Sequence, residues 1–213
     1  LAAKPGTVGK DVGNVKNALA NAARKIDVEY ELPYLAHACM EPNGTLASWD
    51  EDAGKLHLWA STQAPYYIVL EVANALGLEK GQVVCHEVGV GGGFGAKIGA
   101  YPEEILLGVL SSKVGKPLRW RESRSESMVA LGHGRAQLQQ VVIGGTKDGK
   151  VTHYQLHAFQ DSGAWVDMGT ILAPFMTRPM SSGVYAIPNI ECRTTSVVTN
   201  TTPTVAYRGA GRP

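Results

Sequence analysis

The feature that most constrains this chain is Gly91-Gly92-Gly93-Phe94-Gly95-Ala96-Lys97, which follows the largely apolar run Val83 to Val90 without a break. Four glycines around one phenylalanine are bare backbone at a strand end. N–H groups with no Cβ beside them can approach an anionic or oxo group closely. The plainer alternative is a mobile glycine loop. Read as a dinucleotide fingerprint, Gly91-x-Gly93-x-x-Ala96 needs a helix opening inside the motif to meet the pyrophosphate. Instead, Lys97-Ile98-Gly99-Ala100-Tyr101 intervenes before Pro102, where the next helix is predicted to begin. A phosphate loop of the GxxxxGK[ST] kind fails as well. Ala96 stands at its second glycine and Ile98 at its magnesium-binding hydroxyl.

The flanking periodicities predict mixed elements. Asn14 caps a short helix over Val15 to Lys25, and Ile26 to Leu32 alternates apolar and charged residues as a half-buried strand does. Thr45–Trp49 and Lys55–Ala60 form a hairpin around an acidic turn. Ser61-Thr62-Gln63-Ala64-Pro65 starts a helix that stops at Gly77. A second helix follows Pro102, with Glu103 and Glu104 matching its N-terminal dipole, and Pro117 to Arg121 is a short strand. Glu122–Leu131 is helical or irregular. Arg135–Ile143 and Val151–Gln160 are strands joined through Lys147-Asp148-Gly149-Lys150. A short helix near Thr170–Met176 and a Thr-rich strand over Cys192–Thr201 complete the pattern. Strands and helices do not alternate strictly, so the expected class is α+β: mixed sheets with packed helices in two subdomains, residues 1–132 with the glycine loop and the hairpin-rich 133–213.

Composition narrows the function. The 213 residues carry a formal charge of +1, which leaves no basic excess for phosphate backbones, so nucleic-acid binding is not expected. No apolar run reaches the ~18 residues of a membrane span. Leu1 to Lys4 lacks the charged and apolar regions of a signal peptide. Three widely spaced cysteines, Cys39, Cys85 and Cys192, make neither a disulfide framework nor a CxxC site, and a cytoplasmic location is expected. A first residue other than Met and an ending at Gly211-Arg212-Pro213 read as a piece of a longer protein.

Conventional sites are scarce. His153 and His157 sit four residues apart on a strand, about 13 Å, too far to share an ion. His37, His57, His86 and His133 stand alone, and no GxSxG elbow exists. Arg208 lies in Tyr207-Arg208-Gly209-Ala210-Gly211-Arg212, a second glycine-flanked turn. There its planar fork could address an oxo, carboxylate or phosphate group, or simply be solvated.

Six segments taken together resemble the molybdenum hydroxylases: the xanthine dehydrogenase/aldehyde oxidase family and the large chains of aerobic carbon monoxide dehydrogenases. They are Ala36-His37-Ala38-Cys39-Met40-Glu41-Pro42, Ser61-Thr62-Gln63, Gly91 to Lys97, Trp120-Arg121-Glu122-Ser123-Arg124-Ser125-Glu126, His133-Gly134-Arg135 and Ala206-Tyr207-Arg208-Gly209. They occur in the family's order and cover nearly the whole chain. The resemblance implies molybdopterin with molybdenum, commonly as the cytosine dinucleotide, and electron transfer to 2Fe-2S and FAD domains or subunits. It implies that Gln63 hydrogen-bonds an oxo ligand and that the backbone of Gly92, Gly93, Phe94 and Gly95 approaches the metal's other ligands. Arg208 is implied beside metal or substrate, and no residue ligates the metal directly. The chemistry then belongs to the cofactor, and the protein supplies position and electrostatics. The implied reaction oxidises a small organic substrate, an aldehyde or N-heterocycle, with oxygen from water.

Two departures narrow it further. Carbon monoxide enzymes carry a copper-binding Cys where Gly209 stands, and purine oxidisers a Glu where Ile98 stands. The family's catalytic Glu lies C-terminal of this region. The alternatives are an inert fragment without cofactor, a carbon monoxide dehydrogenase-like large chain, and a nucleotide-dependent dehydrogenase, which the loop before Pro102 opposes.

Overall fold

The structure, a computed structural model, describes residues 6–212. The expectation for Leu1 to Lys4 lies outside them. The chain divides into two compact units: residues through Leu35 join those from Gly132 onward, and Ala36–Leu131 form the second. The second border falls at Leu131/Gly132, one residue from the expected 132/133 division, and the first 35 residues group with the C-terminal part rather than with residues up to 132. The physical reason is strand pairing, because the N-terminal strands hydrogen-bond to partners beyond Gly132.

In this split unit, β1 (Gly6–Val12), α1 (Val15–Ala20) and β2 (Arg24–Leu35) precede the excursion into the other unit. Asn14 caps α1 by accepting the Asn17 N–H. The helix ends earlier than its sequence pattern predicts, because the chain enters β2 at Arg24. β2 pairs antiparallel with β7 (Gly134–Gly145), from Arg24 opposite Gly145 to Leu35 opposite Gly134. β7 turns into β8 (Val151–Gly163) through the expected hairpin. α5 (Met168–Met180) then carries the chain over to β9 (Asn189–Val198), which pairs parallel with β8. The order is β1-β9-β8-β7-β2. Val141, Leu156, Ala158 and Cys192 form its core. Pro174 sits inside α5 and has no N–H for the Thr170 carbonyl, which accepts the Ser196 hydroxyl at 3.2 Å instead. β2 is less covered than a half-buried strand, with Ile26 61% and Tyr30 55% exposed. β1 has no counterpart in the sequence reading.

The inserted unit holds a four-stranded sheet of order β5-β4-β3-β6. Its strands are β3 (Gly44–Asp50), β4 (Lys55–Ala60), β5 (Val83–Cys85) and β6 (Leu118–Arg121). Its helices are α2 (Pro65–Leu76), α3 (Pro102–Val114) and α4 (Arg124–Ala130). α2 begins on Pro65 and ends at Gly77 in the left-handed region, as the sequence implies. Ala47, Leu56, Leu58, Ile68, Val72, Ala73, Val83 and Leu107 close the core between sheet and helices. The strand expected over Val83 to Val90 stops at Cys85, and the following backbone is drawn off toward Glu41. Both units combine sheet and helix, so the class is α+β.

Candidate functional site

In the inserted unit, the turn from β4 into α2 meets the glycine loop. Thr62 Oγ1 donates to the Lys97 carbonyl at 3.1 Å and accepts the Ala64 N–H at 3.0 Å. The Gln63 N–H donates to the same carbonyl at 2.8 Å. The Gln63 side chain lies against the loop: its Oε1 accepts from the Gly95 N–H at 2.7 Å and the Lys97 N–H at 3.4 Å. A Cβ at Gly93 would fall 2.4 Å from that oxygen, so only glycine fits. Phe94 is held at φ +52°, a region costly for an aromatic residue, and the residue is 41% exposed. Among the described residues, Gln63 Nε2 and the N–H groups of Gly92 and Gly93 have no protein acceptor.

Behind the loop lies a buried charge. Lys97 is 1% exposed, and its ammonium donates to Ser61 Oγ at 2.7 Å, the Glu41 carbonyl at 2.9 Å and Glu41 Oε2 at 3.0 Å. That carboxylate oxygen also accepts from Ser61 Oγ at 2.7 Å and the Gly91 N–H at 2.8 Å. Burial opposes ionisation of Glu41, but these donors outweigh it and hold the carboxyl below its ordinary range. Arg124 Nη2 donates to the carbonyls of Cys39 and Met40. Cys39, its thiol pushed up by burial, reaches the Gly93 carbonyl at 3.5 Å. Four of the six sequence motifs thus form one hydrogen-bonded body. Sequence reasoning gave Glu41 and Lys97 no role, although an acid, a hydroxyl and a lysine in three successive motifs were a readable signal.

Arg208 belongs to the split unit. The Val205 N–H donates to the His133 carbonyl at 2.8 Å, and the turn closes where the Arg212 N–H meets the Gly209 carbonyl at 3.1 Å. Arg208 is exposed at a cavity of about 370 Å³ lined by Arg135, Gln137, Gln160, Tyr207 and Arg212 among others, with no carboxylate in the wall. A Cβ at Gly209 would lie 3.5 Å from Arg212 Nη1, an ordinary van der Waals distance.

The remaining candidates separate. His153 is buried under Gly144, its pKa lowered by burial and by Lys25, while His157 bonds Thr195 Oγ1 at 3.1 Å. His57 and His86, read as isolated, meet at 2.9 Å and stack with Trp59. Among the described residues, no group of three or more His, Cys, Asp or Glu is placed to hold a metal ion. The three cysteines are free, and among the described residues no helix is long and apolar enough to cross a membrane.

Known proteins are similar to this chain over most of its length. The nicotine 6-hydroxylase large subunit of Paenarthrobacter nicotinovorans is 32% identical over 93% of the chain and 25% of its own length. The carbon monoxide dehydrogenase large chain of Hydrogenophaga pseudoflava is 30% identical over 89% and 24% respectively. Quinoline 2-oxidoreductase from Pseudomonas putida 86 superposes with a TM-score of 0.89 at 27% identity, covering 99% of this chain and 27% of that one. The chain therefore spans about a quarter of the length of the relatives it matches. The family model of the molybdopterin cofactor-binding domain matches residues 2–213, and the chain belongs to that family.

Proposed function

We propose that this chain forms part of the molybdopterin pocket of a molybdenum hydroxylase large subunit that oxidises an aldehyde or N-heterocycle with oxygen from water. The observation that carries the reading is Gln63. Its carbonyl is committed to the loop at Gly95, and its Nε2 keeps an uncommitted donor beside the uncommitted N–H groups of Gly92 and Gly93. Such donors, with no ligating cluster among the described residues, suit an anionic metal–oxo group held by its own dithiolene. When bound, the molybdenum–pterin group supplies the redox chemistry. Gln63 orients it through Nε2, Gly92 and Gly93 give close backbone approach, and the Phe94–Gly95 turn fixes the loop they stand on. Arg208 addresses the group or the substrate. The cytosine dinucleotide form, 2Fe-2S and FAD partners, and a cytoplasmic location complete the reading. Gln63→Ala in the full-length protein tests it. The variant is expected to fold and to lose activity or molybdenum, and full activity with full molybdenum content would overturn the role.

A further inference from the structure

Arg135, the second residue of β7, lies at φ +67°, and Ala136 follows at +55°. Two successive non-glycine residues in the left-handed region are strained, and such strain persists only where surrounding contacts impose it. Gln160 Nε2 imposes it here by donating to the Arg135 carbonyl at 2.8 Å and the Ala136 carbonyl at 3.4 Å. The result sends the Arg135 side chain to the Tyr207–Arg208 turn. Its Nη1 donates to the Tyr207 carbonyl at 3.3 Å, its Nη2 to the Arg208 carbonyl at 2.9 Å, and its Cζ lies 4.5 Å from the Tyr207 ring centroid. Gly134 lets the two segments run this close, since a Cβ there would fall 2.3 Å from Tyr207 Cβ.

Those two carbonyls belong to the peptide planes on either side of the Arg208 Cα. Fixing both planes fixes φ and ψ at Arg208, and with them the direction of its Cα–Cβ bond. A planar two-pronged donor holds two adjacent carbonyls in this way, and a lysine ammonium does not. We infer that Arg135 is a positioning residue that sets the aim of the Arg208 side chain. This rests on the role proposed above for Arg208.

The test is a double-mutant cycle in the full-length holoenzyme. Arg135→Met is expected to lower kcat by about 10²-fold, the size of a positioning error near 1 Å, with molybdenum content near that of the unsubstituted protein. Arg135→Lys is expected to fail to rescue it, and serves alone where Arg135→Met does not fold. In an Arg208→Ala background the same substitution is expected to cost less than about threefold, because the residue it acts through is gone. Undiminished loss in that background, or unchanged kcat in Arg135→Met, overturns the inference. A second arm needs no cofactor. In cofactor-free full-length protein, Arg135→Met is expected to speed amide exchange at Val205 and Arg212, whose N–H groups bond the carbonyls of His133 and Gly209. Unchanged exchange refutes the clamp. If Arg208→Ala itself leaves kcat unchanged with molybdenum bound, the proposed role of Arg208 fails, and the exchange arm still decides the clamp.

Discussion

The Gly95 N–H and Gln63 Oε1, 2.7 Å apart, lock the α2 entry turn to the glycine loop and leave the amide's other half facing outward. One side chain therefore does two separable things, accepting from the loop and presenting a donor beyond it. Gln63→Glu separates them. The carboxylate keeps an acceptor for Gly95 but loses the outward donor and adds a charge that repels an anionic group. It is expected to fold normally and to lose about 10- to 10²-fold in turnover, the value of one charge-assisted hydrogen bond. Steady-state kinetics of the molybdenum-loaded full-length protein check this.

The Glu41–Lys97 pair predicts an asymmetry. Lys97 is 1% exposed along its side chain and Glu41 is 38% exposed. Glu41→Ala strands a buried ammonium, for which a cost of about 3–5 kcal/mol is expected. Lys97→Met leaves a carboxylate that water reaches, and a clearly smaller loss is expected. Chemical denaturation of both variants checks the order.

Glu104 predicts a pH dependence of stability. It is 2% exposed, and burial pushes its carboxyl from 4.5 up to about 7 despite the Tyr101 N–H and Thr45 hydroxyl it accepts. The folded chain thus binds this proton more tightly than the unfolded chain. The contribution is complete below pH 4.5 and is lost as pH rises toward about 7, by an amount on the order of a few kcal/mol. Glu104→Gln keeps an acceptor for Tyr101 and removes the titration. Melting curves from pH 4 to 8 are expected to be flatter for the variant.

Gly209 places no thiolate beside Arg208, and copper(I) prefers soft sulfur ligands. The holoenzyme is expected to hold molybdenum without stoichiometric copper and to turn over an aldehyde or heterocycle rather than carbon monoxide. Metal analysis with CO-dependent dye reduction decides it.

The 213-residue chain alone is expected to show no hydroxylase turnover, because it spans only about a quarter of the length of the relatives it matches. Water-dependent oxidation of any aldehyde by the purified chain would contradict this.

What the sequence made legible was local. Pro65 and Gly77 bounded α2, Pro102 opened α3, and the Asp148-Gly149 turn made the β7–β8 hairpin, because each is decided within a few residues. What stayed hidden depends on distant partners. Nothing in Gly6–Val12 announces that it will pair with Asn189–Val198. The period of Ile26 to Leu32 announces a strand but not how much of its apolar face the chain itself will cover. At the candidate site, the glycines and Gln63 were readable from their motif, whereas the Arg135 fork was not. Its reach to Tyr207 and Arg208 follows from a strained backbone that no residue type signals.

The pairing of β2 with β7 also orders events during synthesis. β2 leaves the ribosome before the inserted unit, yet its partner strand begins at Gly134, after that whole unit has been made. The inserted unit has its own sheet and core and can collapse on local contacts first. Until β7 arrives, Ile26, Val28 and Tyr30 sit on a strand with an unsatisfied backbone edge, the kind of surface that chaperones shield and neighbouring chains invade. Zipping β2 onto β7 closes a loop that spans the whole inserted unit, an entropic cost met before the pairing can repay it. Substituting Ile26 by a polar residue is therefore a lever on yield that leaves both hydrogen-bonded sites in place.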